Sequence, residues 1–409
     1  MKVLNVNMSL DPVTGGGGAE RTFQLSRFLV KAGIECTVLT TDFGLTAERI
    51  KALDGVNVIA LPCLLKRYYI PRFSYSEIKK IVEVADIVHL MGHWTFINAL
   101  VYFIAHRLNK PYVVCPAGTL PIYGRSKFIK KLYNWVIGSK IIRNANGHIA
   151  IAVNEINQFQ DYGVEVNKIS IIPNGINVED FQATDAAGFQ KKYGLGNNSF
   201  IMFMGRLNSI KGPDLLLRAF CNVKDKFSNF HLVFAGPDGG MLSDLKDMVV
   251  EFSASDRVHF LGYLGGADKS QAYHTADLLV IPSRQEAMSI VVLEAGITGT
   301  PVLLTDQCGF DDIGAIDGGE VVPATVDGIR RGLIANLKDP IKLKLKGGNL
   351  KKYTLRNFTW DSVICKYLTL FHQIFDKLEG PVKNLGIEYV NEPVFLERLA
   401  QDADQLKEN

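Results

Sequence analysis

Short apolar runs rich in β-branched residues recur along this 409-residue chain, and helix-like segments separate most of them. Twelve runs are candidate strands: "VLNVNM", "ECTVLTTD", "VNVIALP", "ADIVHLMG", "PYVVCPAG", "GHIAIAV", "KISIIPNG", "SFIMFMG", "HLVFAGP", "VHFLGY", "ADLLVIP" and "PVLLTD". Continuous apolar strands that alternate with helices are typical of parallel sheets covered by helices on both faces. The pattern therefore predicts an α/β protein.

Twelve strands exceed one compact sheet, and the polar segment "QATDAAGFQKKYGLGNNS" interrupts the pattern after "IIPNGINVEDF". On each side of this segment the chain opens with a strand, a glycine-bearing turn and a helix. We therefore predict two Rossmann-like, doubly wound parallel-sheet domains that face each other across a cleft. Their predicted bounds are residues 1–180 and 181–358.

Composition and cysteine usage favour a cytoplasmic protein. The chain is 47% hydrophobic and 21% charged, and its six cysteines are scattered without a C-x-x-C pair, as in proteins of reducing compartments. The N-terminus lacks the continuous apolar core of a signal peptide. The longest uncharged apolar stretch, "INALVYFIA", is too short to span a bilayer.

Positive charge is concentrated in the first half of the chain. Residues 87–154 contain eight lysines and arginines and no aspartate or glutamate. Within this window, helical periodicity brings four apolar side chains near one face: Phe128, Leu132, Trp135 and Val136. A basic, aromatic-rich amphipathic helix suits an anionic membrane, so residues 125–143 are a candidate peripheral contact with the inner face of the plasma membrane. A core-facing helix with solvated lysines is the alternative. No reading motif accompanies the charge, so nucleic-acid binding is not expected.

A run of four glycines, Gly15 to Gly18, follows the first strand and precedes a helix predicted to begin near Ala19. Ligands of doubly wound sheets bind outside the carboxyl ends of the strands. There the backbone of Gly17 and Gly18 can approach a ligand closely, and the helix N-terminus can receive an anion. Taken alone, the run is better explained as a flexible turn. Neither half of the chain has the glycine spacing of a dinucleotide-binding dehydrogenase.

Two cations follow the first strand of the second domain. In "GRLNSIKGPDLLL", Arg206 leaves the end of the strand, and Lys211 lies just before a helix that Pro213 and Asp214 open. Two cations at this sheet edge can hold a doubly negative group.

Two glutamates follow the strand "ADLLVIPS". Glu286 lies in the loop, and a helix begins around Met288, Ser289 and Ile290, whose free N–H groups form a second anion site. Glu294 lies inside that helix, in the apolar stretch "IVVLEAGI", where an unpaired charge is costly. At this place a carboxylate can accept two hydrogen bonds from ribose hydroxyls.

These residues carry a resemblance to a known family. Arg206 with Lys211, the spacing Glu286-x7-Glu294, "PNGI" at the domain join and "GGAER" after the first strand resemble the family 4 retaining glycosyltransferases, which have the GT-B fold. The similarity covers roughly residues 1–378. It implies that the second domain binds a nucleotide sugar and that the first binds the acceptor.

The resemblance also implies roles for single residues. Arg206 and Lys211 would hold the donor diphosphate, Glu286 would contact the donor sugar, and Glu294 the ribose. Gly17 and Gly18 would line the cleft near the phosphates. A last helix, residues 359–378, would return to the first domain and leave residues 379–409 as a tail.

The expected chemistry needs no cofactor. A departing diphosphate is stabilised directly by cations. Metal-dependent transferases usually present D-x-D at a strand end, whereas the one D-x-D of this chain, Asp402 to Asp404, lies in the acidic tail. We therefore predict an enzyme without a metal. The resemblance implies that the transferred sugar, of hexose type, retains its anomeric configuration.

The chain departs from the family at three places. The loop after Glu286 reads "AMS", where relatives commonly have bulkier aromatic and glycine residues. Relatives carry histidines in H-x-H-G and P-H-G segments, where this chain has Met91 and Ala117. His93 is a candidate replacement, although a lone histidine at a strand end is more often structural. The identity of the donor sugar is therefore open.

Three function classes fit the sequence. The leading hypothesis is sugar transfer to a glycan acceptor, in particular a lipid-linked intermediate of bacterial surface polysaccharide synthesis such as lipopolysaccharide. A nucleotide-sugar epimerase of the same fold would interconvert its donor without any acceptor. A non-catalytic nucleotide-sugar-binding subunit would bind without turnover.

Overall fold

Two parallel sheets organise the computed structural model, which describes residues 1–122, 126–310 and 312–379. The seven-stranded sheet has the order β3-β2-β1-β6-β7-β8-β9, and the six-stranded sheet has the order β12-β11-β10-β13-β14-β15. The strands are β1 (Lys2–Val6), β2 (Glu35–Thr41), β3 (Asn57–Leu61), β4 (Cys63–Leu65), β5 (Ile70–Pro71), β6 (Ile87–Met91), β7 (Tyr112–Cys115), β8 (Gly147–Ala150), β9 (Ile169–Ile171), β10 (Ser199–Met204), β11 (Phe230–Ala235), β12 (Val258–Gly262), β13 (Leu278–Ile281), β14 (Val302–Thr305) and β15 (Gly319–Val322). The predicted two-sheet α/β architecture is confirmed.

Helices cover both faces of each sheet, and every residue of central strands such as β6 and β8 is accordingly buried. The helices are α1 (Gly16–Lys31), α2 (Ala47–Lys51), α3 (Tyr75–Val84), α4 (Phe96–Arg107), α5 (Lys127–Tyr133), α6 (Ser139–Arg143), α7 (Glu155–Gln160), α8 (Ala186–Lys192), α9 (Pro213–Cys221), α10 (Leu242–Glu251), α11 (Gly266–Thr275), α12 (Ile290–Thr298), α13 (Asp312–Ala315), α14 (Val326–Leu337), α15 (Pro340–Asn357) and α16 (Trp360–Glu379). A π-helical turn, Asn134–Gly138, joins α5 to α6.

The chain passes between the two sheets twice, and the two passages are hydrogen-bonded to each other. The Ile176 N–H donates to the Phe358 carbonyl at 2.7 Å, and the Trp360 N–H donates to the Ile176 carbonyl at 3.1 Å. Beyond this point α16 packs against α1 of the first domain. Trp360 stacks on Phe28 with ring centroids 6.0 Å apart. A Cβ on Gly175 would lie 2.6 Å from the Trp360 ring, so this position requires glycine.

Arg21, the arginine of "GGAER", is 1% exposed and joins three segments of the chain. Its guanidinium donates to the Tyr367 hydroxyl at 2.7 Å, to Asn174 Oδ1 at 2.6 Å and to the Ile172 carbonyl at 2.8 Å. Asn174 in turn donates to the Met288 carbonyl at 3.3 Å. Arg21 therefore ties α1 to α16 and, through Asn174, to the loop before α12.

The basic segment forms the helix that its periodicity predicts, and its apolar face is exposed rather than buried in the core. Phe128 is 79% exposed, Leu132 47%, Trp135 82% and Val136 54%. The alternative of a core-facing helix is therefore wrong. Arg125, at the start of the predicted segment, lies outside the described residues, as does the tail from residue 380 onward. None of the helices in the described part of the chain is both long and apolar enough to span a membrane.

Candidate active site

A cavity of about 410 Å³ lies between the carboxyl ends of the two sheets. The first domain contributes Gly16, Gly17 and Glu20 to its lining, and the second contributes cations and a carboxylate: Arg206, Lys211, Lys269 and Glu294. We call it the glycine-loop cavity. Both predicted cations and the second predicted glutamate thus face one space between the domains.

The glycine run forms the first turn of α1, which begins at Gly16 rather than near Ala19 as predicted. A Cβ on Gly15 would lie 2.6 Å from the Ala19 Cβ, so the tight entry into the helix requires glycine there. Gly17 lines the cavity, and no atom lies within 4 Å of the place a Cβ would take. Gly18 lies outside the lining, and its carbonyl accepts hydrogen bonds from two side chains of the first domain.

Arg206 reaches from the second domain to the first. Its Nη2 donates to the Val13 carbonyl at 3.1 Å and to the Thr14 carbonyl at 3.2 Å, both in the loop between β1 and α1. Neutral carbonyl acceptors leave the positive charge of the guanidinium without a counter-ion at these contacts. The charge therefore remains available to an anion in the cavity.

Lys211 and Glu286 form an ion pair, with Lys211 Nζ 2.8 Å from Glu286 Oε1. The Ser283 hydroxyl also donates to Glu286, whose side chain is only 9% exposed. Lys211 lines the glycine-loop cavity, whereas Glu286 lines a neighbouring cavity of about 520 Å³. Ile210 lines both, so the ion pair lies where the two cavities meet.

The helix start predicted around residues 288–290 is that of α12, which begins at Ile290. Ile290 lines the glycine-loop cavity. Ser289 occupies the N-cap position without a capping bond, and its buried hydroxyl has no hydrogen-bond partner among the described residues. Met288 is 8% exposed and accepts at its carbonyl from Asn174, so it anchors the loop rather than facing the cavity.

Glu294 is 6% exposed and is paired, although the sequence offered no partner for it. Lys269 Nζ lies 2.8 Å from Oε1, and the Tyr273 hydroxyl donates to Oε2 at 2.5 Å. Both partners come from one face of α11, where their spacing of four residues was the signal available in the sequence. Each carboxylate oxygen still has a second lone pair to offer a ligand.

Glu20, which sequence reasoning missed, brings a carboxylate from the first domain to the glycine-loop cavity. Arg49 Nη2 lies 2.8 Å from its Oε2. Burial raises the pKa of Glu20, but the positive charges of Arg49 and Lys269 outweigh it and lower the pKa below its ordinary value. Burial alone would lower the pKa of Lys269. The negative charges of Glu294 and Glu20 outweigh burial and raise the pKa of Lys269 above its ordinary value. The cavity therefore holds a charged, largely balanced network that consists of Glu20, Arg49, Lys269 and Glu294.

The second cavity, which we call the Trp94 cavity, lies on the first-domain side of Glu286. The first domain contributes Trp94, Thr119 and Lys130 to its lining, and the second contributes polar side chains: Glu286, Asp306 and Gln307. The Trp94 indole N–H donates to the Thr119 carbonyl, which fixes the ring. Lys130 Nζ lies 5.5 Å from the centre of that ring.

His93 lies behind Trp94 and lines neither cavity. It is 2% exposed, and its Nε2 is 2.8 Å from Asn134 Oδ1. Its ring contacts Trp94, Tyr133 and Tyr162 at centroid distances of 4.4, 5.6 and 5.6 Å. Burial lowers the pKa of His93 to about 4, so the ring is neutral near pH 7. The structure thus does not bring His93 together with the other predicted site residues.

A buried carboxylate shapes the wall of the Trp94 cavity. Glu155 accepts hydrogen bonds from the backbone N–H groups of Gly118 and Ile151. Burial raises the pKa of Glu155 above its ordinary value. Ala117 has a φ of 50°, which is unusual for a residue with a Cβ, and the Glu155 bond to the next N–H stabilises this turn. A Cβ on Gly118 would lie 2.9 Å from the Ala287 Cβ, so the two domains approach closely beside Glu286.

Among the residues that the structure describes, no group of three or more histidine, cysteine, aspartate or glutamate side chains is arranged to hold a metal ion.

Comparison with known proteins agrees with this geometry. The family model described as Glycosyltransferase Family 4 matches residues 15–180, and the model described as Glycosyl transferases group 1 matches residues 187–352. The facing sheets and the polar cleft between them are those of a glycosyltransferase with the GT-B fold. The chain belongs to glycosyltransferase family 4.

Relatives and solved structures cover most of the chain. It is 32% identical over 341 residues to D-inositol 3-phosphate glycosyltransferase of Nocardia farcinica, which covers 75% of this chain and 74% of the relative. It is 28% identical over 389 residues to an uncharacterized glycosyltransferase of Methanocaldococcus jannaschii, covering 89% of this chain and 96% of the relative. The crystal structure of Anabaena HepE in complex with UDP and glucose superposes with a TM-score of 0.72 at 16% identity, covering 93% of this chain and 99% of HepE.

Proposed function

We propose that this glycosyltransferase moves a sugar from a nucleotide-diphosphate sugar, bound in the glycine-loop cavity, to a glycan acceptor bound in the Trp94 cavity. The observation that carries the proposal is the placement of Arg206 and Lys211 on one cavity wall, next to the Lys211–Glu286 pair that joins the two cavities. The UDP and glucose bound to HepE, a protein of the same fold, support a donor of this class.

In this proposal the two cations stabilise the departing diphosphate. Breaking the bond between the sugar and the phosphate leaves negative charge on the diphosphate, and preorganised positive charge lowers the barrier to that step. Arg206 is already held in place by two carbonyls, so little reorganisation is needed when the charge develops. Because the side chains supply the positive charge, the proposed reaction is metal-independent and needs no cofactor.

The other predicted residues bind the remaining parts of the donor. Glu294 accepts hydrogen bonds from the ribose hydroxyls with its remaining lone pairs, while Lys269 and Tyr273 hold it in position. The unpartnered Ser289 hydroxyl and the start of α12 are available to the phosphates. Gly17 gives the diphosphate room, and Glu286 contacts the transferred sugar at the junction of the cavities.

The proposed acceptor enters through the Trp94 cavity, where the indole ring offers an apolar face to a sugar ring and Lys130 offers a positive charge. Donor and acceptor meet at the Lys211–Glu286 pair, and the acceptor hydroxyl attacks from the side on which the diphosphate departs. The bond from the acceptor oxygen to the anomeric carbon forms as the bond from that carbon to the phosphate oxygen breaks, and the hydroxyl proton passes to the departing diphosphate. This course retains the anomeric configuration of the transferred hexose, as family membership leads us to expect.

We further propose that the acceptor is lipid-linked, as in the assembly of bacterial surface polysaccharides such as lipopolysaccharide. This proposal is supported by the exposed apolar face that α5 forms together with the following π-helical turn. Lysines of α5 lie among these apolar side chains. Lys130 belongs to this helix and also lines the Trp94 cavity, so the helix lies beside the acceptor site. A peripheral contact with an anionic membrane would deliver such an acceptor directly to the cavity.

The donor half of the proposal is tested by thermal shift with a panel of nucleotide-diphosphate sugars. A ligand at one hundred times its dissociation constant stabilises the folded protein by about 2.7 kcal/mol. We expect one nucleotide class to raise the melting temperature, and Glu294→Ala and Glu294→Gln to abolish this rise relative to their own unliganded midpoints. Glu251→Ala, at the exposed end of α10, is the control that should keep it. An undiminished rise in both Glu294 variants would remove the ribose role.

The membrane half of the proposal is tested by co-sedimentation with anionic vesicles. A lysine near an anionic surface contributes about 1 kcal/mol, so Lys127→Glu with Lys131→Glu should weaken binding by roughly 25-fold or more. Lys246→Glu with Lys352→Glu, exposed in the second domain, is the matched control. Equal pelleting of both double variants would exclude the helix as the contact.

A further inference from the structure

The hairpin of β4 and β5 lies outside both parallel sheets and presents an apolar tip to solvent. Leu64 is 63% exposed, Leu65 55% and Tyr68 46%. The two leucines precede a short 3₁₀ turn, Lys66–Tyr68, and Tyr68 is its last residue. Single exposed apolar side chains are ordinary, whereas a contiguous group of large ones indicates an interaction surface. The hairpin is therefore a candidate contact site that the catalytic cleft does not use.

The charged side chains of the hairpin segment itself are all positive, and one carboxylate lies at its base, where Asp42 Oδ1 accepts a hydrogen bond from the Cys63 N–H at 2.8 Å. Residues 55–76 contain Lys66, Arg67 and Arg72 and no aspartate or glutamate. Lys66 Nζ lies 5.5 Å from the centre of the Phe43 ring, and the Arg67 guanidinium lies 5.5 Å from the centre of the Tyr68 ring. Apolar side chains interleaved with cations match an anionic lipid surface, which takes up the apolar groups and attracts the charges.

The hairpin and α5 flank the same region of the first domain. The Phe73 ring, just after β5, lies 5.7 Å from the Phe96 ring at the start of α4. Both rings are partly exposed, at 40% and 39%. The carbonyl of Thr95, next to Phe96, accepts a hydrogen bond from the Tyr133 hydroxyl of α5 at 3.2 Å. Trp94, which lines the Trp94 cavity, directly precedes Thr95 in the chain.

We propose that the β4–β5 hairpin is a second membrane-binding element, which inserts Leu64, Leu65 and Tyr68 at an anionic bilayer while α5 binds beside it. Two contacts on one rigid domain bind more tightly than either alone, because the second forms at a high effective concentration. Two contacts also fix the orientation of the domain, which holds the Trp94 cavity next to the lipid surface. The pairing with α5 and the delivery of a lipid-linked acceptor rest on the proposed function, whereas the binding of the hairpin to lipid does not.

The test is co-sedimentation of the full chain with phosphatidylcholine vesicles that contain, or lack, phosphatidylglycerol. Lys66→Gln with Arg67→Gln should weaken binding to the anionic vesicles by roughly 25-fold, since two cations near the surface are lost. Leu64→Gln with Leu65→Gln should weaken it without changing the net charge. The matched control is Ile341→Gln with Leu345→Gln on α15, where side chains 77% and 63% exposed also lie among lysines, but in the second domain.

Each outcome has a defined meaning. If both hairpin variants pellet like the wild type while the α5 variant does not, α5 is the only contact and the hairpin proposal fails. If the α15 variant alone loses binding, the membrane face lies in the second domain and the proposal also fails. A lower molecular mass of the hairpin variants in light scattering, without a change in vesicle binding, would instead assign the tip to a second copy of the chain.

The test also separates this inference from the proposed function. Vesicle binding needs neither donor nor acceptor, so a missing thermal shift with every nucleotide sugar would overturn the proposed donor and leave the hairpin result intact. Conversely, the hairpin variants should transfer sugar to a water-soluble acceptor at the wild-type rate. A loss of that transfer would show that the hairpin contributes to the fold or to the site rather than to membrane binding.

Discussion

Replacing Arg206 and Lys211 together by alanine should slow sugar transfer by roughly 10²- to 10⁴-fold, because each charge-assisted contact contributes about 1.5 to 3 kcal/mol. Both side chains face the glycine-loop cavity, and in the proposed reaction both meet the charge that develops on the leaving diphosphate. The loss should appear mainly in kcat, since that charge is larger in the transition state than in the bound donor. Steady-state kinetics with the donor identified by thermal shift would measure it.

The single variants separate the two contributions. Lys211→Ala also leaves the largely buried Glu286 without its cation, so part of its effect can come from a displaced carboxylate. Arg206→Ala removes contacts to neutral carbonyls only and reports the charge more directly. Arg331→Ala with Lys338→Ala, at exposed positions in the second domain, should transfer at the wild-type rate. Near-wild-type transfer by Arg206→Ala would contradict the role of a diphosphate-binding cation.

Arg21→Leu should lower the free energy of unfolding by about 3 to 5 kcal/mol, because it leaves three buried acceptors without their donor. These acceptors are the Tyr367 hydroxyl, the Asn174 side chain and the Ile172 carbonyl. Urea unfolding followed by circular dichroism would measure the change as a lower midpoint. The transition that shifts should be that of the first domain, since a chain of two domains need not unfold in a single step.

Two matched variants test the cause of this loss. Arg27→Leu lies on the same helix, where Arg27 is 33% exposed and 3.9 Å from Asp180, and should change the midpoint little. Tyr367→Phe removes one hydroxyl and should cost about 1 kcal/mol. If Arg21→Leu and Arg27→Leu unfold at the same urea midpoint, the hydrogen bonds of the buried guanidinium do not stabilise the first domain.

The parallel sheets could be predicted from the sequence because strands buried on both faces leave a nearly continuous apolar run. All twelve predicted runs form strands. The strand β15 was missed, since Glu320 interrupts its short apolar run. The β4–β5 hairpin was missed because its tip carries exposed leucines and cations in no alternating pattern. Near the first strand, the sequence analysis placed the helix start near Ala19, after the glycine run, whereas α1 begins at Gly16.

The placement of the candidate site residues was predictable where chain order alone determines position. Arg206, Lys211, Glu286 and Glu294 follow strand ends, and parallel strands bring their carboxyl ends to one edge. Contacts between distant segments were not predictable. The pairing of Glu294 with α11 and the reach of Arg206 to the first domain depend on how helices and domains pack, which a periodicity pattern does not specify.

The hydrogen-bonded passages at Ile176 and at Phe358 to Trp360 mean that the first domain is not a continuous stretch of sequence. Helix α16 completes the core of this domain: Trp360 is 1% exposed and Tyr367 is fully buried. Proteolytic removal of α16 would take a wall from the domain that carries the glycine run, although α16 begins almost two hundred residues after the chain first leaves that domain at Ile176. The second domain, by contrast, is one uninterrupted stretch of sequence between the two passages.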